Sequence, residues 1–286
     1  MNIHDYAIRC RNRIRLYRNT RTLVGSGVKL FRVNLEYWDN TTNLGDCLSP
    51  VIVEWMLSKK NIKSTDFVGK TKHLYAVGSI IGMGELFDAT VWGSGVHTRE
   101  IIDKVNREKS IRKYDIRAVR GPRTAEVMRN AGYECPDIYG DPAILMPYIY
   151  PVNNIEKKYD VSIIHHFTKI KDVAKSEAIH NINIMTKDYA GFIDEICRSK
   201  LVISSSLHGL ILAESYGIPA VFLNEGLDGE LLKFYDWYNS SGREDVRIAH
   251  SLEEALKLNP MDLPNLEKMR QGLIESFPYD LWHSHA

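Results

Sequence analysis

The chain has 286 residues, 44% of them hydrophobic, and a formal net charge of +1. That is enough apolar material for one large or two modest cores. The balanced charge argues neither for nor against nucleic acid; no nucleic-acid partner is expected. The four cysteines, Cys10, Cys47, Cys135 and Cys197, form no C-x-x-C pair. Neither a zinc site nor a disulfide framework is indicated, and reduced thiols in the cytosol are expected. No apolar run reaches the roughly 20 residues that cross a bilayer.

The first residues carry a basic cluster, Arg9, Arg11, Arg13, Arg15, Arg18 and Arg21, and no signal-peptide core. Two readings stay open: a solvated arm over residues 1–27, or a contact with anionic lipid headgroups, worth about 1 kcal/mol per basic residue near such a surface. "KLFRVNLEYW" (Lys29 to Trp38) reads as a strand. "CLSPVIVEWMLSKK" (Cys47 to Lys60) reads as a helix with Pro50 in its first turn. "LYAVGS", "ATVWGSG", "YDIRAVRG" and "PDIYGDPA" read as short strands ending in Gly or Ser. Helices are expected near Glu100 to Ser110 and Pro122 to Ala131.

The stretch Pro147 to Lys158 is the best linker, with two prolines, two asparagines and a charge run. The pattern then restarts: strands at "YDVSIIHHF", "INIMT", "LVISSS" and "PAVFLN", and helices at "YAGFIDEICRSK", "HGLILAESYG" and "NLEKMRQGLIESF". Alternating strands and helices predict parallel sheets covered on both faces. The expected organisation is two doubly wound α/β domains facing across a cleft, at 1–150 and 151–260, with a C-terminal helix in 261–286 packing back on the first.

In such sheets ligands bind at the carboxyl ends of the strands. After "LVIS", Ser205 or Ser206 is the expected N-cap, and His208 falls in the first helical turn. Free amides and the helix dipole make that turn an anion site. In "DNTTNLGDCLSP", Asn43, Gly45 and Asp46 lie between a strand and a helix. Gly45 permits a close backbone approach, and Asp46 either caps the helix or acts as a base. Arg120, delivered by "AVRG", can grip a phosphate or carboxylate, or form a surface ion pair. Gly93, Ser94 and Gly95 offer backbone amides. Asp141 follows a strand. His165 and His166 end the first strand of the second half and face opposite sides if that strand runs through them.

N-x-G-D, G-S-G, R-G-P-R-T, G-D-P-A and S-S-S-L-H-G followed by A-E-S-Y-G-I-P-A-V occur in that order from Asn43 to Asn224. The series resembles the polysaccharide pyruvyl transferase family, and its wording is nearer the exopolysaccharide branch than the cell-wall anchoring branch. The resemblance implies a glycosyltransferase-B-like pair of Rossmann-like domains. It implies transfer of the carboxyvinyl group of phosphoenolpyruvate to a sugar, as a pyruvate ketal, with phosphate released and no metal or organic cofactor. Phosphoenolpyruvate and a sugar or lipid-linked oligosaccharide are the implied partners, in the cytoplasm at the inner face of the plasma membrane. His208 would be the acid, Asp46 the base and Arg120 a donor clamp. Asn43, Gly45, Gly93, Ser94, Gly95, Asp141, His165, His166, Ser205, Ser206, Leu207, Gly209, Asn224 and Glu225 would line the substrates. Some members carry a lysine in the loop after the "GIP" strand. Here that loop reads "NEGLDGELLKF", so Lys233 must reach back or another cation must replace it. The competing readings are a nucleotide-sugar-dependent glycosyltransferase of the same architecture and a non-catalytic sugar-binding protein.

Overall fold

The computed structural model describes residues 32–38, 41–66, 70–83, 87–110, 112–170 and 179–282. The arginine-rich arm lies outside the described residues. Two all-parallel sheets form the framework. The first holds β1 (Val33–Glu36), β2 (Lys72–Tyr75), β3 (Ala89–Trp92) and β4 (Tyr114–Ala118), neighbours in chain order. The second holds β5 (Tyr159–Ile164), β6 (His180–Asn181), β7 (Ser199–Ser204), β8 (Ala220–Leu223) and β9 (Ile248–Ala249), in the order β6-β5-β7-β8-β9. Parallel neighbours need long crossovers. Helices supply several of them: α1 (Leu44–Ser58), α2 (Arg99–Glu108), α3 (Pro122–Asn130), the one-turn α4 (Met146–Ile149), α5 (Tyr189–Cys197), α6 (Leu207–Ser215), α7 (Leu231–Ser240), α8 (Leu252–Lys257) and α9 (Glu267–Glu275). With cover on both faces, "ATVW" and "AVFL" are buried at every position, which is why they read as unbroken apolar runs.

Three segments differ from expectation. The first helix begins at Leu44, so Pro50 lies inside it rather than in its first turn. Asn43 is its N-cap and draws the start forward. "INIMT" is not a strand. β6 ends at Asn181, and Ile182 and Ile184 are core residues on an irregular stretch whose Ile184 carbonyl accepts from Leu44 N. Ile182 still bonds the sheet, its N donating to the Ile163 carbonyl at 2.9 Å; beyond it the alternation records one-sided burial rather than sheet pairing. "PDIYGDPA" contributes a single bridge, Tyr139 to Val119, before a 3-10 turn at Pro142–Leu145.

One apolar cluster joins the two sheets. Leu44, Leu48, Ile52 and Met56 of α1 meet Ile144 and Leu145, then Leu210 and Ile211 of α6 and Trp237 of α7. Each such side chain contributes roughly 1.5–3 kcal/mol on burial. Every residue of α6 is buried, its Glu214 paired with Trp237 Nε1 and Arg243 and its Ser215 hydroxyl bonded back to the Ile211 carbonyl. The C-terminal segment packs on the first half: Trp92 Nε1 donates to the Leu273 carbonyl at 2.8 Å, and Phe277 stands edge-on to the Trp92 ring.

Candidate active site

The carboxyl ends of β1, β2, β3, β5 and β7 and the first turn of α7 converge on a cavity of about 210 Å³. Of the residues singled out from sequence, Asn43, Asp46, His166, Ser206, Leu207, His208 and Lys233 line it. Trp38, Ser79, Ile80, Met83, His97, Phe167, Thr168 and Glu230 complete the wall.

The α1 entry sets Asp46. Asn43 Oδ1 accepts from Gly45 N at 3.3 Å, and Asn43 Nδ2 donates to Asp46 Oδ2 at 2.9 Å. Capping therefore falls to Asn43 and leaves Asp46 to the cavity. Burial pushes the Asp46 carboxyl from its ordinary 3.8 up to about 6, with nearby His208 pulling it partly back and Asp141 adding to the rise. Such a group exchanges a proton close to neutral pH.

The serines before α6 are mostly committed to the loop. Ser204 Oγ donates to the Ile164 and Ser206 carbonyls at 3.1 and 2.9 Å. Ser205 Oγ accepts from His166 N at 2.6 Å and donates to Glu225. Ser206 occupies the N-cap position, yet its side chain makes no capping bond. The first amides of α6 are thus left without a side-chain cap at the cavity wall, a disposition that suits an anion. Gly209 lies against Ser204, where a Cβ would come 2.3 Å from the hydroxyl.

His208 rests on Gly45. Its Nε2 lies 3.5 Å from Asp141 Oδ2, and both atoms are buried without a hydrogen-bond partner. Asp141 Oδ1 accepts from Ala143 N at 3.0 Å and holds the carboxylate in place. A Cβ on Gly45 would fall 1.8 Å from His208 Nδ1. Gly45→Ala is expected to displace the ring, cost about 1–3 kcal/mol as overpacking does, and reduce turnover with it. A variant of unchanged melting temperature and turnover would show that the ring has another place to go.

Arg120 departs from its expected role. Its guanidinium is fully buried and lies behind the wall. Nε donates to Asp236 Oδ2 at 3.1 Å, Nη2 to the Val96 carbonyl at 2.8 Å, and Nη1 to the Ser79 hydroxyl. Asp236, on α7, also accepts from Thr124 N and Oγ1 at 3.0 and 2.6 Å. A counter-charge supplied from within satisfies the arginine, so neither a surface ion pair nor an open anion clamp describes it. Gly95 makes room for the guanidinium, with a Cβ falling 2.4 Å from it, and Gly93 packs on Pro142. Ser94 Oγ donates to the Gly78 carbonyl at 2.8 Å. The G-S-G turn thus braces the wall rather than lining it.

His165 and His166 part company beyond the end of β5. His165 Nδ1 pairs with Glu225 Oε1 at 2.8 Å, away from the cavity lining. Asn224 ties its own loop, accepting from Leu227 N and donating to Asp228. His166 faces the cavity, its Nδ1 2.8 Å from Thr168 Oγ1. Burial, helped by the charge of Lys233, lowers His166 to about 4, so its imidazole is neutral at physiological pH.

Lys233 reaches the cavity from the first turn of α7, 6% exposed and bonded to Glu230. Burial pushes its amine down while Glu230 pushes back. Glu230 Oε2 also lies 3.3 Å from His97 Nε2 and 3.8 Å from His166 Nε2. Burial alone would raise the Glu230 carboxyl, but His97 and Lys233 outweigh it and hold it well below the usual range. Sequence reading did not place Asp236 or His97 at the site. Their signals were an acid between aromatic residues in "FYDWY" and a histidine just past the G-S-G turn.

A parallel α/β scaffold with ionisable groups gathered at its strand ends has the build of a ligand-binding enzyme. The chain belongs to the polysaccharide pyruvyl transferase family, whose description it matches over residues 24–227. It is 28% identical over 226 residues to an uncharacterised protein of Acanthamoeba polyphaga mimivirus, covering 74% of this chain and 75% of that one. It is 25% identical over 217 residues to the succinoglycan biosynthesis protein ExoV of Rhizobium meliloti, covering 72% and 64%. Among solved structures it is similar to a functionally uncharacterised Klebsiella pneumoniae protein, with a TM-score of 0.46, 14% identity and coverage of 88% and 100%. The wall teichoic acid polymerase TagF gives a TM-score of 0.44 at 13% identity, covering 99% and 94%. Among the described residues, no helix is long and apolar enough to cross a membrane.

Proposed function

We propose that this cavity moves the carboxyvinyl group of phosphoenolpyruvate onto a sugar of a surface polysaccharide, or of its lipid-linked precursor, as a pyruvate ketal. The observation that carries the reading is the meeting of buried Lys233, the uncapped start of α6 and the Asp46–His208 pair in one cavity. The donor bears a phosphate and a carboxylate, and Lys233 with the first α6 amides offers a cation and backbone donors for one of them. Arg120 supports this wall through Ser79 instead of touching the donor.

A proton added to the vinyl carbon makes it the new methyl and leaves the adjacent carbon electrophilic. A sugar hydroxyl bonds to that carbon and gives up its proton. The carbon–oxygen bond to phosphate breaks, its electron pair leaving with phosphate, and a second hydroxyl closes the ketal. Two hydroxyl protons are lost in all: one is matched by the methyl, the other by the released phosphate. His208 serves as the acid and Asp46 as the base, while His166 orients the acceptor. In this reading the two sheets belong to two Rossmann-like domains of glycosyltransferase-B-like arrangement. The protein works without metal or organic cofactor, in the cytoplasm at the membrane face, in exopolysaccharide assembly.

The test is phosphate release from phosphoenolpyruvate, with and without synthetic or lipid-linked β-galactosides and glucosides. Release that requires acceptor is expected. It should vanish in His208→Ala, and Lys233→Met should raise the donor KM by at least about tenfold, the loss of one charged hydrogen bond. Absence of release with every acceptor, together with thermal stabilisation by a nucleotide-sugar, would assign the cavity to glycosyl transfer.

A further inference from the structure

Glu230 stands beside a buried lysine and two histidines. It ends the 3-10 turn Asp228–Glu230 and occupies the N-cap position of α7, yet its side chain caps no amide there. The carboxylate turns to the cavity instead, where a single oxygen meets Lys233, His97 and His166. These three groups come from separate parts of the chain: His97 follows β3, His166 follows β5 and Lys233 lies on α7. A buried cation such as Lys233 needs a counter-charge, and here the protein supplies its own. The carboxylate is nonetheless 24% exposed, whereas Lys233 beside it is 7% exposed. Rotation about its own side-chain bonds would carry it to solvent and leave Lys233 and the two imidazoles behind.

We propose that Glu230 is a displaceable anionic plug, whose carboxylate holds the Lys233–His97–His166 cluster until an oxyanion group of a substrate, phosphate or carboxylate, takes its place. The cavity would then select by charge. A neutral sugar cannot dislodge the plug, whereas an oxyanion that is also met by the α6 amides can. A plug in place more than nine-tenths of the time weakens apparent anion affinity at least about tenfold. Removing it should return that factor.

The inference rests on reading the cavity as the donor site, but its test involves no turnover. Inorganic phosphate and pyruvate are titrated calorimetrically into the wild-type protein, Glu230→Gln and Glu230→Gln/Lys233→Met. Tightening by about tenfold or more in Glu230→Gln, lost again in the double variant, is expected. Tightening of phosphate assigns the cluster to the phosphate, and tightening of pyruvate alone assigns it to the carboxylate. Unchanged or weaker binding of both overturns the proposal. Should Glu230→Gln fail to fold by circular dichroism, Glu230→Ala is judged by the same criterion, and loss of the fold in both also overturns it, since a plug is dispensable to the fold. A rise in affinity stands even if phosphoenolpyruvate is never cleaved, and a failure to rise leaves pyruvyl transfer untouched.

Discussion

Asp46→Asn is expected to stabilise the protein at pH 8 while lowering transfer by about 10²–10⁴-fold, the usual worth of a general acid or base. The carboxyl titrates near 3.8 when unfolded and at about 6 in the folded protein. Below pH 3.8 it is protonated in both states and costs nothing. Between pH 3.8 and about 6 the unfolded carboxyl gives up its proton while the folded one keeps it, so stability falls as the pH rises and levels off once the pH has passed 6 and the folded carboxyl is charged too. A rise of about two pKa units corresponds to up to about 3 kcal/mol. Asparagine keeps an oxygen to accept from Asn43 Nδ2 and carries no charge to bury. Urea unfolding at pH 8 and pH 4 should therefore show the gain at pH 8 and its disappearance at pH 4. Near-wild-type turnover would remove Asp46 from the chemistry. A stability gain that is the same at both pH values would show that ionisation is not its source.

Asp236→Ala should cost about 3–5 kcal/mol, because it strands the fully buried Arg120 charge. It also removes the acceptor of Thr124 N and Oγ1. Replacing both partners by apolar residues of similar volume, Arg120→Met with Asp236→Leu, should recover much of that loss, since a missing pair costs less than an orphaned charge. Urea midpoints of the single and double variants measure this directly. If Arg120 instead served the donor, Asp236→Ala would leave the midpoint in place and change the donor KM.

Much of this site could be read along the chain because its signals are local. His208 falls in the first turn of the helix that follows a strand stopping in serines, and Asn43, Gly45 and Asp46 fill one strand-to-helix turn. The assignment within that turn was not legible, since Asn and Asp cap helices about equally well. Only the fold shows that Asn43 caps and frees Asp46. Arg120 meets Asp236 across 116 residues, a pairing that no spacing rule reaches. Likewise, "INIMT" alternates as a strand does, but its isoleucines fill a core beside α1. The convergence of His97, His166 and Lys233 on Glu230 is tertiary throughout.

The apolar cluster that links α1, the Pro142–Leu145 turn, α6 and α7 has a consequence for how a substrate gets in. Parting the sheets would hydrate Leu44, Leu48, Ile211 and Trp237 together, at roughly 1.5–3 kcal/mol for each side chain. A wide jaw-like opening at every turnover is therefore too expensive to be the route of entry. The cavity is already open to solvent, so no such parting is required for a small molecule to reach it. A change deep in α1 or α6, which share that cluster and both line the cavity, is felt on both of its banks at once.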